Sequence, residues 1–426
     1  MNIIAPLKML AQWKRFWTIL VKKYIKYGHK QQKNCSFRSF TTQKNKMKPN
    51  KGEQFNNKEL ATKIQAKDAI RRLKEYIPAP QNSVLFSKNE DYLKLDSNET
   101  TGKPSPLVFQ RIQEFLLTGH VNWYPDANAT HLREKIAAYT HRSLAEIQVF
   151  NGSDSALDYI CRTFVDKDDE VLIASPTYDN FRIFAQSLGA RVEFVFAQSP
   201  FDSISQNLIE KISRITKLVY ICNPDNPTGR TCNEEDIIRI LEELNNGILI
   251  IDEAYYEFSK ITMANLLSRF ENLIITRSFS KAFGLAALRC GYILAREALL
   301  SPINKIRNTK EVNSVAQIAA AAALDDIDYM EKYVEDVNAS KEWLIEKLRS
   351  LGFTIFTSSA NFILIKVKNP TEFVSELKKH CVLLRDRSQL PQLEHFVRVT
   401  VGSLDQSKKL VKALEKNGKI SELCFF

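Results

Sequence analysis

The feature that most limits how this chain can fold is a series of short, unbroken apolar runs: Val171-Leu-Ile-Ala174, Leu218-Val-Tyr-Ile221, Ile248-Leu-Ile-Ile251 and Leu273-Ile-Ile275. None alternates apolar with polar residues, so each predicts a strand buried on both faces. The strands predicted on this basis span 170–174, 191–196, 217–222, 247–251 and 272–276, with helical periodicity over 153–164, 178–188, 205–213 and 233–244 between them. Strands alternating with helices predict an α/β fold, a mostly parallel sheet covered by helices on both faces. Ligands of such sheets sit beyond the carboxyl ends of the strands. The polar clusters of this sequence fall at such ends.

Further along, a helical stretch over about 311–350 and strands near 362–366 and 396–400 predict a smaller α+β unit. At 426 residues the chain is long enough for such a division. The expected parts are a basic extension (1–67), an arm that joins the small domain (68–98), a large domain (99–310) and a small C-terminal domain (311–426). The formal charge of +11 belongs to the extension, since residues 1–52 hold 13 Lys and Arg and no Asp or Glu. The remaining 47 basic and 49 acidic residues leave a near-neutral body, which gives no support to a nucleic-acid partner. The extension interleaves Trp13, Trp17 and Leu20 with lysines and contains no run long enough for an integral membrane span. It fits an organellar transit peptide, a peripheral anchor, a nucleic-acid tail or an over-long start ahead of Met47. The expected location is cytoplasmic, with organelle targeting by this segment as the alternative. Seven scattered cysteines and six histidines show neither disulfide nor metal-site spacing, so no metal is expected.

Lys281 lies in Ser278-Phe-Ser-Lys281, just past an apolar strand, with Arg289 eight residues on. A lysine in apolar surroundings is costly unless neutral or covalently engaged, and a desolvated amine is a good nucleophile toward an aldehyde. Ser278, Ser280 and Arg289 suit a phosphate dianion. An aldehyde beside a phosphate describes pyridoxal 5′-phosphate (PLP); an ordinary loop with an exposed lysine is the alternative. Asn151-Gly-Ser153 precedes a predicted helix and is either a helix cap or a phosphate cradle built on Gly152 and Ser153. Ser175-Pro-Thr-Tyr178 is either a simple turn or a loop that presents Tyr178 to a flat ring. In Asn223-Pro-Asp-Asn-Pro-Thr-Gly229, two prolines are expected to fix an extended loop that presents the Asn226 amide to a phenolate oxygen. Asp252 ends a buried strand and needs a cation or donors, such as a protonated pyridine nitrogen, while Tyr255 is placed to bond the ring hydroxyl. The same apolar-run-then-acid form occurs in ATPases, but no phosphate-loop motif lies upstream.

Taken together these residues resemble the fold-type I, PLP-dependent aminotransferases of class I/II. The resemblance covers about residues 68–416 and rests on Asn223-Pro-Asp-Asn-Pro-Thr-Gly229, Asp252-Glu-Ala-Tyr255, and Ser278-Phe-Ser-Lys281 with Arg289. Within that group the chain is most similar to the histidinol-phosphate aminotransferases, through Tyr76 before Pro78, Ser97-Asn-Glu99, Tyr124-Pro-Asp126, Leu383-Leu-Arg-Asp386 and Val397-Arg-Val-Thr-Val-Gly402.

The resemblance implies that Lys281 binds the cofactor aldehyde and later shuttles a proton. Asp252 would keep the ring nitrogen protonated, Tyr178 would stack on the ring, and Asn226 and Tyr255 would bond its oxygen. Ser278, Ser280, Arg289 and the Gly152–Ser153 backbone would hold the phosphate. Tyr124 would complete the site of the second subunit in a homodimer. Arg398 would bind the carboxylate of glutamate or 2-oxoglutarate, and Arg398, Arg385 and Tyr76 the phosphate of histidinol phosphate, the small-molecule substrate so implied. Asn98-Glu-Thr-Thr-Gly102 departs from the family pattern near the substrate entrance. An aminotransferase for aromatic or other amino acids, and a decarboxylase of a phosphorylated amino acid, therefore stand as alternatives. A PLP-sensing regulator would need a helix-turn-helix that the extension does not supply.

Overall fold

The computed structural model describes residues 65–75 and 92–426, apart from Asn417, Cys424 and Phe426. Tyr76, Met47 and the basic extension through residue 52 lie outside the described residues. Thirteen strands are present among them: β1 (Leu93–Lys94), β2 (Ile147–Phe150), β3 (Glu170–Ser175), β4 (Arg191–Phe196), β5 (Thr216–Cys222), β6 (Ile248–Asp252), β7 (Leu273–Ser278), β8 (Gly291–Ala295), β9 (Thr354–Phe356), β10 (Phe362–Lys366), β11 (Val382–Leu383), β12 (Arg385–Asp386) and β13 (Phe396–Thr400). Seven form one sheet in the order β2-β8-β7-β6-β5-β3-β4. Every neighbouring pair is parallel except those that involve β8, which runs against both β2 and β7.

The unbroken apolar runs are explained by burial on both faces. Val171, Ile173, Leu218, Tyr220, Ile248, Ile250 and Ile274 pack with Ala156, Leu157 and Ile160 of helix Ser153–Phe164. Their alternates Leu172, Ala174, Val219, Ile221, Leu249, Ile251 and Ile275 join the core on the other face. Each such side chain contributes about 1.5–3 kcal/mol by leaving water, and neither face can tolerate a charge without a partner. The sheet is therefore a rigid base for whatever its strand ends carry.

A second sheet, β12-β13-β10-β9, is fully antiparallel. The segment leading from β1 ties its neighbourhood together. β1 pairs in parallel with β11, Leu95 N donates to Leu383 O (2.9 Å), and Thr400 N donates to Leu95 O (3.0 Å). Residues 96–98 are thereby laid against the end of β13. The helical stretch expected over 311–350 is two helices, Ser314–Leu324 and Ile327–Ser350, interrupted at Asp325-Asp326. The first buries Ala319 to Ala323, whose small side chains allow close packing against helices Pro106–Thr118 and Thr130–Thr140. The helix expected over 178–188 is shorter, Phe181–Ser187, which leaves Tyr178 in the preceding turn.

Candidate active site

The carboxyl ends of β5, β6 and β7 lie side by side, so that Cys222 pairs with Asp252 and Asp252 with Thr276. Asp252 is 3% exposed and accepts from Tyr220 Oη (2.9 Å) and Thr276 Oγ1 (3.0 Å). Burial pushes its carboxyl up to about 6, although both hydroxyls pull the other way. Glu253 follows it in the strand direction and is equally buried, but it faces Arg277, whose Nη2 is 2.8 Å from Oε2. Of two adjacent buried acids, one has a guanidinium partner and the other has neutral donors.

Lys281 lies in a loop pinned at both ends. Phe279 N donates to Cys290 O (3.0 Å), Leu285 N to Phe279 O (3.0 Å), and Gly284 N to Lys281 O (3.1 Å). Lys281 O also accepts from Thr100 Oγ1. The amine is 3.5 Å from Ser97 O and 5.8 Å from the centroid of the Tyr255 ring. Burial, and then the charge of Arg398, lower it to about 8. A lysine in this range is partly neutral near physiological pH and so a competent nucleophile.

An anion-binding corner adjoins. Ser280 N donates to Ser278 Oγ (3.0 Å), and Arg289 Nη1 donates to Ser280 Oγ (3.4 Å) and Ala286 O (3.1 Å). Gly152 caps helix Ser153–Phe164 at φ 85°, and a Cβ there would lie 2.7 Å from Arg289 Nη2. The free backbone N–H groups of the helix start and the guanidinium thus face one another. Asp154, in the first helical turn, accepts from both Arg289 Nη2 (3.3 Å) and Tyr178 Oη (2.8 Å). Arg289 lies two residues before β8, in the left-handed region at φ 54°.

The loop that carries Asn226 is a tight turn rather than an extended one. Asp225 closes it at both ends, by accepting from Gly229 N (2.9 Å) and donating to Arg230 O (2.8 Å). The Asp225 carboxylate also takes the Thr228 hydroxyl (2.6 Å) and that of Thr177. Asn226 Oδ1 accepts from Arg398 Nη1 (2.5 Å), which leaves the Asn226 amine as the end available to a ligand. Arg398, on β13 and 5% exposed, also donates to Asp96 O (2.8 Å). Tyr255 is 2% exposed, edge-on to Phe362, and accepts from Asn98 Nδ2 (3.0 Å).

Lys281, Asp252, Tyr255, Asn226 and Arg398 are thus gathered around the ends of β5–β7, with Gly152, Ser153, Tyr178, Ser278, Ser280 and Arg289 beside them. Two assigned residues remain. Arg385 is opposite Arg398 in the β12–β13 register and half-buried, and it borders an open groove of about 1260 Å³ together with Asp179, Arg182 and Arg387. Tyr124 is 78% exposed, with Lys310 Nζ 3.9 Å from its ring centroid. Sequence reasoning missed Asp154, Tyr220, Thr276 and Asn98. Asp154 and Thr276 are one and two residues from positions it singled out, and Tyr220 lies inside a run read only as buried strand; Asn98 stood in a quoted motif, but its side-chain role gave no signal, since its partners are remote in the chain.

The family profile for Aminotransferase class I and II matches residues 90–414. The chain belongs to this family. It is an aminotransferase, and its cofactor is PLP. Its sequence is 40% identical over 365 residues to a dihydroxyacetone phosphate transaminase of Campylobacter jejuni, covering 84% of this chain and 98% of that protein. It is 36% identical over 325 residues to a histidinol-phosphate aminotransferase of Caldanaerobacter subterraneus, covering 76% and 92%. Its fold is similar to that of a histidinol-phosphate aminotransferase of Sinorhizobium meliloti solved with pyridoxal-5′-phosphate, with a TM-score of 0.75 at 24% identity over 83% of this chain and 97% of that one.

The donor set of this aminotransferase fits PLP. The cofactor has a basic ring nitrogen, an aldehyde, a ring oxygen and a phosphate. The site offers a buried carboxylate without a bonded cation (Asp252), an amine lowered to about 8 (Lys281), an amide and a phenol (Asn226, Tyr255), and a guanidinium beside a helix N-terminus.

Proposed function

We propose that this enzyme transfers an amino group between histidinol phosphate and 2-oxoglutarate, with the residues described above in named roles. The observation that carries the cofactor assignment is the contrast between Asp252 and Glu253. Two neighbouring acids share a strand end, and Asp252 has hydroxyl donors where Glu253 has Arg277. A protonated ring nitrogen supplies the missing cation. When bound, PLP supplies an electron-withdrawing ring that stabilises charge developing on the substrate carbon. Asp252 keeps the ring nitrogen protonated. Tyr178 packs the ring face, Asn226 and Tyr255 donate to the ring oxygen, and Ser278, Ser280, Arg289 and the Gly152–Ser153 backbone hold the phosphate. Lys281 Nζ carries the proton to and from the substrate carbon, a role that suits an amine poised near 8.

Arg398, the buried cation next to Lys281, binds the carboxylate of the dicarboxylic partner and, with Arg385 and Tyr76, the phosphate of the amine substrate. The same reading assigns 68–98 to an arm, 99–310 to the cofactor domain and 311–426 to a smaller domain, in keeping with the separate mostly parallel and antiparallel sheets. No helix among the described residues is long and apolar enough to cross a membrane.

A second reading has support of its own. The relative at 40% identity is named for dihydroxyacetone phosphate, and Thr100 bonds the backbone of Lys281 at the position where the sequence leaves the family pattern. Both substrates are small phosphate monoesters, so the shared expectation is a dianion read by arginines. Mixing the PLP-loaded enzyme with one amine at a time and following the visible absorbance decides between them. Histidinol phosphate is expected to react fastest. Preference for serinol phosphate, the amine related to dihydroxyacetone phosphate, would establish the second reading, and preference for phenylalanine or unphosphorylated histidinol would overturn both.

A further inference from the structure

Asn98 is 1% exposed and sits at φ 52°, a left-handed conformation that asparagine adopts more readily than most residues. It lies three residues from the Leu95 bond to β11 and makes four hydrogen bonds. Its backbone N–H donates to Thr400 Oγ1 (2.9 Å), and its carbonyl accepts from Asn361 Nδ2 (3.2 Å). Its side-chain oxygen accepts from Thr400 Oγ1 (3.1 Å), and its side-chain amine donates to Tyr255 Oη (3.0 Å).

The direction of this chain follows from proton counting. Thr400 is 1% exposed and has one hydroxyl proton, which needs an acceptor, because a buried donor left unmade costs about 1–3 kcal/mol. The acceptor within reach is Asn98 Oδ1. That fixes the amide, and its NH₂ end must face Tyr255. Tyr255 Oη then accepts from Asn98, and its own proton is directed to a different acceptor. With Lys281 Nζ 5.8 Å from the ring of Tyr255, that acceptor lies in the lysine pocket.

We propose that Asn98, oriented by Thr400, is a positioning residue that makes Tyr255 a hydrogen-bond donor toward the cofactor. The proposal rests on the reading that PLP lies beside Tyr255. An amide in the opposite orientation would turn Tyr255 away from the pocket, and the ring oxygen would lose one of its two donors.

The test uses the PLP-loaded protein and the pH midpoint of its visible absorbance, with PLP affinity by equilibrium dialysis as a second measurement. Asn98→Asp keeps size and tolerates the backbone angle, and the nearby charges of Arg398 and Lys281 favour its ionised form, which cannot donate. Tyr255 would then give its proton to that carboxylate. Asn98→Asp and Tyr255→Phe are expected to move the midpoint in the same direction by about one pH unit, the scale of one hydrogen bond to a charged group. The double variant should move it no further than either alone. Thr400→Val should move it the same way by a smaller amount, and Thr400→Ser should restore the wild-type value; these two serve if Asn98→Asp fails to fold. A wild-type midpoint in Asn98→Asp, or shifts that add in the double variant, would overturn the proposal. Borohydride reduction and peptide mapping separate the two levels of inference. PLP found on a lysine other than 281, or no shift in Tyr255→Phe, would overturn the reading of the site and the proposal with it, whereas PLP on Lys281 with additive shifts overturns the proposal alone.

Discussion

At the scale of single residues, the site is set by how burial shifts two groups toward each other. Asp252 is raised to about 6 and Lys281 lowered to about 8, both chiefly by burial. Without a cation, ionised Asp252 is a cost to the fold. Its folded value lies above the ordinary 3.8, so the folded state holds the proton more tightly, and stability falls as pH rises from about 4 to about 6. Two units correspond to about 3 kcal/mol at most. Glu257, raised to about 7 by burial, adds a loss of the same sign that extends to higher pH. Urea unfolding of the PLP-free protein between pH 4.5 and 7.5 should show this decline, and Asp252→Asn should flatten its lower part. An unchanged slope would mean that Asp252 is not the group responsible. In the loaded enzyme the same substitution should bind PLP but lower kcat by about two orders of magnitude or more, the scale of losing a preorganised electrostatic partner. Near-normal kcat would remove Asp252 from its role at the ring nitrogen.

At the scale of elements, the strand ends were legible and the contacts between distant segments were not. β10 and β13 span the residues expected of them, and β3 and β5–β7 differ from expectation by one or two residues at their ends. Except in β13, which carries Arg398 and Thr400, these runs are apolar on both faces, and burial on both faces leaves few alternatives to a strand. The two-helix break at Asp325-Asp326 was hidden because both halves keep helical periodicity. The role of Asn98 was invisible for a different reason: Tyr255 is 157 positions away and Thr400 is 302, and no local pattern encodes such a meeting. The cradle at Gly152 was half-legible, since a glycine before a helix suggests close approach but does not say to what. Its φ of 85° is a region that suits glycine, and the 2.7 Å gap to Arg289 leaves no room for a methyl group. Gly152→Ala should therefore weaken PLP binding about tenfold or more, through strain and a displaced guanidinium. Equilibrium dialysis checks this, and an unaltered PLP affinity would place the phosphate elsewhere.

At the scale of the whole molecule, one surface remains to be accounted for. Helix Pro106–Thr118 and the turn after it expose Phe109 (51%), Leu116 (52%), Leu117 (74%), Val121 (60%) and Trp123 (65%), and Tyr124 follows directly. A run of large apolar side chains of this kind marks an interface more often than free surface. We propose that a second copy of the chain covers it and that Tyr124 reaches the phosphate corner of that copy. Light scattering should then give about twice the 48.9 kDa of one chain. Leu116→Asp combined with Leu117→Asp should yield monomers with weakened PLP affinity. The decisive version mixes two impaired proteins at limiting PLP. Tyr124→Phe should bind PLP about tenfold or more weakly, as expected for the loss of a hydrogen bond to a phosphate, and Lys281→Ala should have no turnover. If Tyr124 acts across the interface, a mixed dimer holds one intact site, with Lys281 from one chain and Tyr124 from the other. Random exchange of equal amounts should then restore roughly a quarter of wild-type activity at limiting PLP. If Tyr124 serves its own subunit, or the protein is a fully active monomer, mixing restores nothing, and Tyr124 leaves the site while Lys281 and Asp252 keep their places in it.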